Sequence, residues 1–127
     1  MQKGFSLMEL LVVMSIIGML SAVMLPNLSG AQNRAKETAL RALLYNMQAE
    51  LEGYYLDNNY YPAGEAVSLA QLTALLGLKP CRNPFTGRDY QGGDTAGKVL
   101  YSLDNGDYTL TAYKKDGASV LLELTNN

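Results

Sequence analysis

The stretch FSLMELLVVMSIIGMLSAVMLPNL, residues 5–28, decides the fold of this chain, and Glu9 is its only charged residue. Twenty-four residues of α-helix measure about 36 Å, enough to cross a bilayer with some tilt. A carboxylate within hydrocarbon is costly, so it marks a functional site whose partner has to be found. The stretch therefore predicts a membrane-spanning helix that carries a functional glutamate.

The composition of the 127-residue chain excludes several classes of function. It contains no histidine and a single cysteine, Cys81, which rules out an intramolecular disulfide, a Cys/His zinc cluster and a His-activated nucleophile. The formal net charge of -2, without a block of like charges, gives no nucleic-acid footprint. We therefore expect a non-enzymatic protein, with Cys81 buried as a small hydrophobic residue.

A removable secretory signal is an alternative reading of the apolar start. Ser29-Gly30-Ala31 could serve as its cleavage site. The apolar stretch is longer than usual for such a signal, and Glu9 interrupts the part that a signal must keep apolar. Both features favour a retained helix.

The segment Lys3-Gly4-Phe5-Ser6-Leu7-Met8-Glu9 resembles the class III leader of type IV pilins and type II secretion pseudopilins. The resemblance implies that a prepilin peptidase cuts between Gly4 and Phe5 and methylates the new amine of Phe5. It also supplies the partner of Glu9. In a filament core, the Phe5 ammonium of a neighbouring subunit would pair with this carboxylate, and such pairs are strong in a low-dielectric environment.

The resemblance also implies the partners and the location of the chain. It would form a homopolymer that an ATPase and an inner-membrane platform assemble, with minor pilins as further candidate partners, and it would bind no nucleic acid. The subunit would sit in the inner membrane with its head outside the cytoplasm, and then in an extracellular or periplasmic filament. Basic residues alone favour the opposite orientation, because Arg34, Lys36 and Arg41 follow the helix and only Lys3 precedes it.

Two alternatives remain open at this level. The filament could be a type IV pilus for adhesion or motility, or a type II secretion pseudopilus. Three short segments slightly favour pseudopilins: Leu56-Asp57-Asn58 and Tyr61-Pro62 at the end of the helix, and the Asn83-Pro84-Phe85 loop. A non-polymerising single-pass membrane protein with a small binding head is the other possibility.

Four segments are expected along the chain: a cleavable leader over residues 1–4, a transmembrane and polymerisation helix over 5–28, its amphipathic continuation over 29–62, and a globular head over 63–127. Pro26 cannot donate to the carbonyl of Ala22, and Gly18 also weakens the helix. These residues alone are compatible with a gentle kink, whereas the resemblance to pilins implies that residues 18–26 unwind in the assembled fibre.

The continuation of the helix is amphipathic. Its apolar side chains recur at three- and four-residue spacing, which predicts a face docked on the head: Leu40, Leu44, Met47, Leu51 and Tyr54. A second stripe consists of small residues, read either as subunit contacts or as helix-favouring surface: Ala31, Ala35, Ala39, Ala42, Ala49 and Gly53.

The head is expected to contain a short helix and three strands. Ser68-Leu69-Ala70-Gln71 reads as a capping box, and Gly77 ends the helix that it opens. Strands are predicted over residues 98–103, 107–113 and 118–124, joined by hairpin turns. One face carries the alternating positions Val99, Tyr101, Leu103, Tyr108, Leu110, Ala112, Val120, Leu122 and Leu124. The fold class is therefore α+β, a long N-terminal helix packed on a three-stranded antiparallel sheet.

No cofactor is expected, and calcium is only a weak candidate. Its possible ligands are loop carboxylates: Asp94, Asp104, Asp107 and Asp116. Their spacing matches no known calcium loop, and Asp is an ordinary turn residue.

Overall fold

The computed structural model describes residues 4–127. The leader residues 1–3, including Lys3, lie outside the described part of the chain. The chain divides into two compact units, Met1–Ala35 and Lys36–Asn127. Helix α1, Leu7–Asn58, contributes residues to both.

Helix α1 ends where asparagine side chains begin to compete for the backbone hydrogen bonds of the helix. The side-chain amide of Asn58 donates to the carbonyl of Tyr54 at 3.0 Å. Asn59 adopts the left-handed conformation with a φ of 63°, and its N–H donates to the carbonyl of Tyr55 at 2.7 Å. Asparagine tolerates this conformation better than most residues, so the helix ends at Asn58.

In the first unit the helix continues without interruption from Leu7 past Pro26. Two serines donate to carbonyls four residues earlier, Ser15 to Leu11 at 2.8 Å and Ser21 to Ile17 at 2.7 Å. These bonds keep the hydroxyls satisfied within the helix itself, as apolar surroundings require. The single chain is therefore helical over residues 18–26, and unwinding in a fibre stays a prediction.

The second unit has its own hydrophobic core. The predicted apolar face of α1 is confirmed for Leu40, Leu44, Met47 and Leu51, which are buried, whereas Tyr54 is only partly buried and lies outside the core cluster. The four buried residues lie in one cluster with residues of the sheet and of a second helix: Tyr61, Leu69, Leu72, Tyr90, Val99, Tyr101, Tyr108, Leu110 and Ala112.

The sheet has four antiparallel strands in the order β1-β2-β3-β4, so the prediction of three strands was wrong. The strands are β1 Val67–Ser68, β2 Val99–Asp104, β3 Asp107–Tyr113 and β4 Val120–Thr125. The additional strand, β1, pairs Val67 with Tyr101 and Ser68 with Leu100. Two residues are too short to show an alternating pattern, so a strand of this length leaves no periodic signal in the sequence.

Helix α2, Leu69–Leu75, confirms the predicted capping box. The hydroxyl oxygen of Ser68 accepts from the backbone N–H of Gln71, and the Gln71 side chain accepts from the N–H of Ser68. Gly77 follows the helix with a φ of +69°, a conformation that favours glycine.

The predicted position of Val120 on the core face was wrong. The register of β3 and β4 pairs Ala112 with Leu122 but Tyr113 with Val120, which leaves Leu121 as an extra residue on β4. Such a bulge changes the direction in which nearby side chains point. Val120 is 52% exposed, whereas Leu122 and Leu124 pack against the core as predicted.

The segment between α2 and β2 is held by a buried side chain, Asn83. Its amide nitrogen donates to the carbonyl of Ala96 at 2.8 Å, and its side-chain oxygen accepts from the N–H of Phe85 at 2.9 Å. The hydroxyl of Tyr90 donates to the carbonyl of Gly97 at 2.6 Å. These bonds fix the loop to the start of β2 without a disulfide.

Candidate processing and assembly site

Gly4 and Phe5, the predicted processing residues, are exposed in the described chain. A Cβ atom placed on Gly4 meets no atom within 4 Å. Packing within the chain therefore does not require a glycine at this position. The side chain of Phe5 is 91% exposed, and both residues precede the helix, where an enzyme could reach the peptide bond that joins them.

Glu9 lies in the first turn of α1 and is bonded to the residue that caps the helix. The N–H of Ser6 donates to Glu9 Oε2 at 2.9 Å, and the N–H of Glu9 donates to Ser6 Oγ at 3.2 Å. Sequence reasoning considered Glu9 only as a partner of the Phe5 amine and missed this pair. The signal was present, because a serine followed three residues later by glutamate is a capping-box pattern.

The apolar part of α1 has no partner inside the chain. Every described residue from 4 to 35 is exposed. α1 is also the one described helix that is long and apolar enough to cross a membrane. An apolar surface of this extent in water is unfavourable, so the segment requires lipid or other protein chains around it.

The predicted helix-breaking residues lie within this exposed segment. Pro26 is inside α1, and a Cβ atom on Gly18 would meet no atom within 4 Å. Neither residue is required there by packing within the chain. The small-residue stripe from Ala31 to Gly53 is exposed as well, which leaves both of its interpretations open.

Glu52 joins the second part of α1 to the sheet. The hydroxyls of Tyr61 and Tyr108 donate to its carboxylate, at 3.0 and 3.1 Å. The Tyr61 and Tyr108 rings lie edge to face, with centroids 4.8 Å apart. Tyr61 is 8% exposed, so its ring is buried where the helix meets the head. Sequence reasoning missed Glu52, since its partners lie 9 and 56 residues away.

Burial governs the protonation of the tyrosines around this junction. It raises the pKa of Tyr108 and of Tyr101 to about 12. The hydrogen bond to Glu52 acts in the same direction on Tyr108, because a phenol that donates to a carboxylate resists losing its proton. Tyr101 donates to the carbonyl of Pro62 at 2.6 Å. Part of the stability of this network therefore depends on the Tyr101 and Tyr108 hydroxyls remaining protonated.

The four calcium candidates do not form one site. Asp94 accepts from the N–H of Gln91, and the amides of Asn126 and Asn127 donate to Asp107. Asp104 pairs with Asp107 across the β2–β3 turn. Among residues 4–127, no group of three or more His, Cys, Asp or Glu side chains is placed to hold a metal ion.

Asp116 has a local role in the turn between β3 and β4. Its carboxylate accepts from the hydroxyl of Ser119 at 2.6 Å and from the N–H groups of Ala118 and Ser119 at 3.0 and 2.9 Å. The bond from the Ser119 hydroxyl, together with the two backbone bonds, lowers the pKa of Asp116 to about 2. This carboxylate is therefore occupied in shaping the turn.

Cys81 is half-buried rather than buried as predicted, and it packs against the hydrophobic core beside Tyr90. Burial raises the pKa of the thiol, and the nearby negative charge of Asp89 adds to the effect. A raised pKa keeps the sulfur in the less reactive thiol form.

Comparison with known proteins adds a family to this geometry. The family described as prokaryotic N-terminal methylation motif matches residues 1–25. The chain is 43% identical over 77 residues to the type IV wide pilus major component of Thermus thermophilus, a match that covers 61% of this chain and 55% of that protein. It is 30% identical over 116 residues to the type II secretion system core protein G of Klebsiella pneumoniae, covering 91% of this chain and 79% of that protein.

A shorter match connects the chain to the type II secretion system core protein G of Pectobacterium carotovorum, at 38% identity over 64 residues. It covers 50% of this chain and 41% of that protein. The chain thus spans about half the length of the Thermus and Pectobacterium relatives. No solved structure matches the chain significantly.

Proposed function

Because this chain belongs to the type IV pilin and type II secretion pseudopilin family, we propose that it is a structural, non-enzymatic filament subunit. A prepilin peptidase removes residues 1–4 and methylates the amine of Phe5. The N-terminal helices of many copies then form the core of a type IV pilus or of a type II secretion pseudopilus. The observation that carries this proposal is the complete exposure of the apolar residues that follow the cut.

Exposure of these residues suits two successive environments. In the inner membrane, lipid covers the apolar side chains while the head lies outside the cytoplasm. In the filament, the same side chains pack against other copies, extracted from the membrane by a platform protein and an ATPase, with minor pilins as further partners. One surface serves both states because hydrocarbon and a protein core are similarly apolar.

Glu9 gives specificity to the contacts between subunits in the filament. It places one carboxylate in an otherwise apolar surface, and a processed neighbour supplies an ammonium at Phe5. A charge-assisted pair in a low-dielectric core favours the one stagger of the helices that brings the two groups together. Apolar contacts alone would not select that stagger, because they are non-directional.

Processing is tested with Gly4→Val and a smaller replacement at the same position, Gly4→Ala. We expect Gly4→Val to leave the full-length chain in the membrane without surface filaments, because the peptidase must accommodate the residue beside the cut bond. Gly4→Ala should be cut partially. Mass spectrometry of the amino terminus and electron microscopy of filaments give the two readouts.

An unprocessed wild-type chain would contradict the proposal and favour a non-polymerising membrane protein with a small binding head. A normal Phe5 terminus in the Gly4→Val variant would show that Gly4 is not required for the cut. In the described structure, packing does not demand glycine at position 4, so neither variant should disturb folding.

A further inference from the structure

The start of α1 contains a reciprocal pair of hydrogen bonds that the pairing role of Glu9 does not require. The Ser6 carbonyl accepts from the N–H of Leu10 at 3.2 Å, which makes Ser6 the N-cap of the helix. Ser6 Oγ accepts from the N–H of Glu9, and Glu9 Oε2 accepts from the N–H of Ser6. Glu9 is the third residue of the helix, so the two form a complete capping box.

In an apolar environment this capping box matters more than it does at a protein surface. The first N–H groups of a helix have no partner within the helix, and lipid offers none. The capping box satisfies two of these groups within the chain. The Glu9 carboxylate also gains a donor and lies at the positive end of the helix macrodipole. Both effects lower the cost of keeping this charge in apolar surroundings.

The capping box also restricts where the Glu9 carboxylate can be. Oε2 is held 2.9 Å from the nitrogen of Ser6, the residue next to Phe5. A carboxylate can accept about four hydrogen bonds, so this one can still receive an ammonium while it caps the helix. A side chain that is already ordered loses less conformational entropy when a partner binds.

We propose that Ser6 is a positioning residue for polymerisation. Its hydroxyl completes the capping box that holds Glu9 ready for the Phe5 ammonium of a second copy of this chain. This inference rests on the proposed function, in which Glu9 binds that ammonium. Residue 6 then sets how much of the processed subunit is ready to assemble.

The test compares Ser6→Val with Ser6→Thr in the full-length chain, expressed in cells with the assembly system. Valine and threonine have nearly the same shape, but only threonine keeps the capping hydroxyl. Filament yield is divided by the amount of processed subunit, which mass spectrometry gives, so that effects on cutting drop out. We expect about a fivefold lower ratio for Ser6→Val, corresponding to about 1 kcal/mol for a lost cap, and a near-wild-type ratio for Ser6→Thr.

A second measurement does not depend on cutting. In detergent micelles, the amide hydrogen of Glu9 should exchange about fivefold faster in full-length Ser6→Val than in Ser6→Thr or wild type. Equal exchange in all three proteins, or equal yield ratios for the two variants, would overturn the role of Ser6. Glu9→Leu separates the two proposals: normal filaments in that variant would refute the ion pair itself, whereas loss of filaments together with equal Ser6 variants would refute only the positioning role.

Discussion

At the scale of single residues, two carboxylates on α1 have opposite surroundings. Glu9 lies on the exposed apolar part and accepts from the N–H of its own N-cap, Ser6, and a carboxylate that accepts about four hydrogen bonds keeps capacity for a further donor. Glu52 lies at the junction with the sheet, where two tyrosine hydroxyls occupy it. A charge that is satisfied within the chain stabilises the fold, and one that is only partly satisfied is suited to bind another molecule.

Replacing Glu9 by leucine separates insertion from assembly. Membrane insertion should be intact or improved, because the change removes a carboxylate that costs up to about 3 kcal/mol in the membrane. Filament yield should collapse, because the partner of the Phe5 ammonium is lost. Glu9→Gln is the matched control: glutamine also forms capping boxes but carries no charge, so it should fail in the same way. Equal filament yields for these variants and wild type would contradict the pairing role.

At the scale of elements, the second half of α1 is attached to the sheet by aromatic and polar contacts together. The Tyr61 ring packs on those of Tyr55 and Tyr108, with centroids 4.7 and 4.8 Å apart. The side-chain amide of Gln48 donates to the carbonyl of Thr125 at 3.3 Å, which ties β4 to the same helix. Hydrophobic burial holds the helix on the sheet, and the directional bonds fix its rotation and position.

This attachment should weaken at alkaline pH. The folded protein keeps Tyr101 and Tyr108 protonated up to a pKa of about 12, whereas an unfolded tyrosine releases its proton near its ordinary pKa of 10.0. A raised folded pKa stabilises the protein fully below the unfolded value, and the contribution is lost between about pH 10 and pH 12. The midpoint of thermal unfolding of the full-length chain in micelles should fall across this range.

The double variant Tyr101→Phe with Tyr108→Phe tests the cause. Its midpoint should be lower at pH 8, because the bonds to Pro62 and Glu52 are lost, but it should fall less steeply between pH 10 and 12. Tyr60→Phe is the control, since that side chain is 58% exposed. Circular dichroism at each pH provides the measurement, and an unchanged slope in the double variant would contradict the tyrosine origin.

At the scale of the whole molecule, the two units differ in how their apolar side chains are kept from water. Residues 36–127 bury their own core and need no other molecule for it. The described residues up to Ala35 bury nothing and depend on lipid or on further copies of the chain. A single helix without tertiary contacts gains most of its stability from its environment, so the exposed unit is the part that assembly can reorganise.

The geometry of the filament follows from the proposed pairing. If Glu9 meets the Phe5 ammonium of another subunit, the helices are offset by at least four residues, about 6 Å, and side-chain reach and tilt extend this to about 12 Å. Subunits should rise by about 6–12 Å if the paired neighbours are consecutive on the one-start helix, and by less if the pair spans a longer helical step. Residues 18–26 should be stretched, because extended backbone covers more than twice the distance of helix per residue.

A cryo-EM map of the filament tests both the pairing of Glu9 with a Phe5 ammonium and the unwinding of residues 18–26. Density for an unwound segment before Pro26, with Glu9 beside a neighbouring amine, is the expected result. Unbroken helical density through Pro26, with Glu9 facing lipid or solvent, would contradict them. The single chain is helical through this segment, so an unwound filament would mean that assembly itself drives the change.

The sequence by itself determined the features that depend on neighbours along the chain. The spacing of Leu40, Leu44, Met47 and Leu51 predicted the buried face of α1, and the order of Ser68 and Gln71 predicted the start of α2. Helical periodicity and capping act over three or four residues, so a linear reading contains all their partners. Ser6 and Glu9 are likewise three residues apart, so the sequence also contains the pattern of their capping box.

Only the tertiary structure decided the features whose partners are distant in sequence. Val67 became a strand residue because Tyr101 lies beside it, and Val120 turned outward because a bulge shifted β4 against β3. Glu52 gained its second tyrosine from 56 residues away. Strand pairing and buried polar contacts depend on which segments come into contact in the folded chain. Local periodicity carries no information about those long-range contacts.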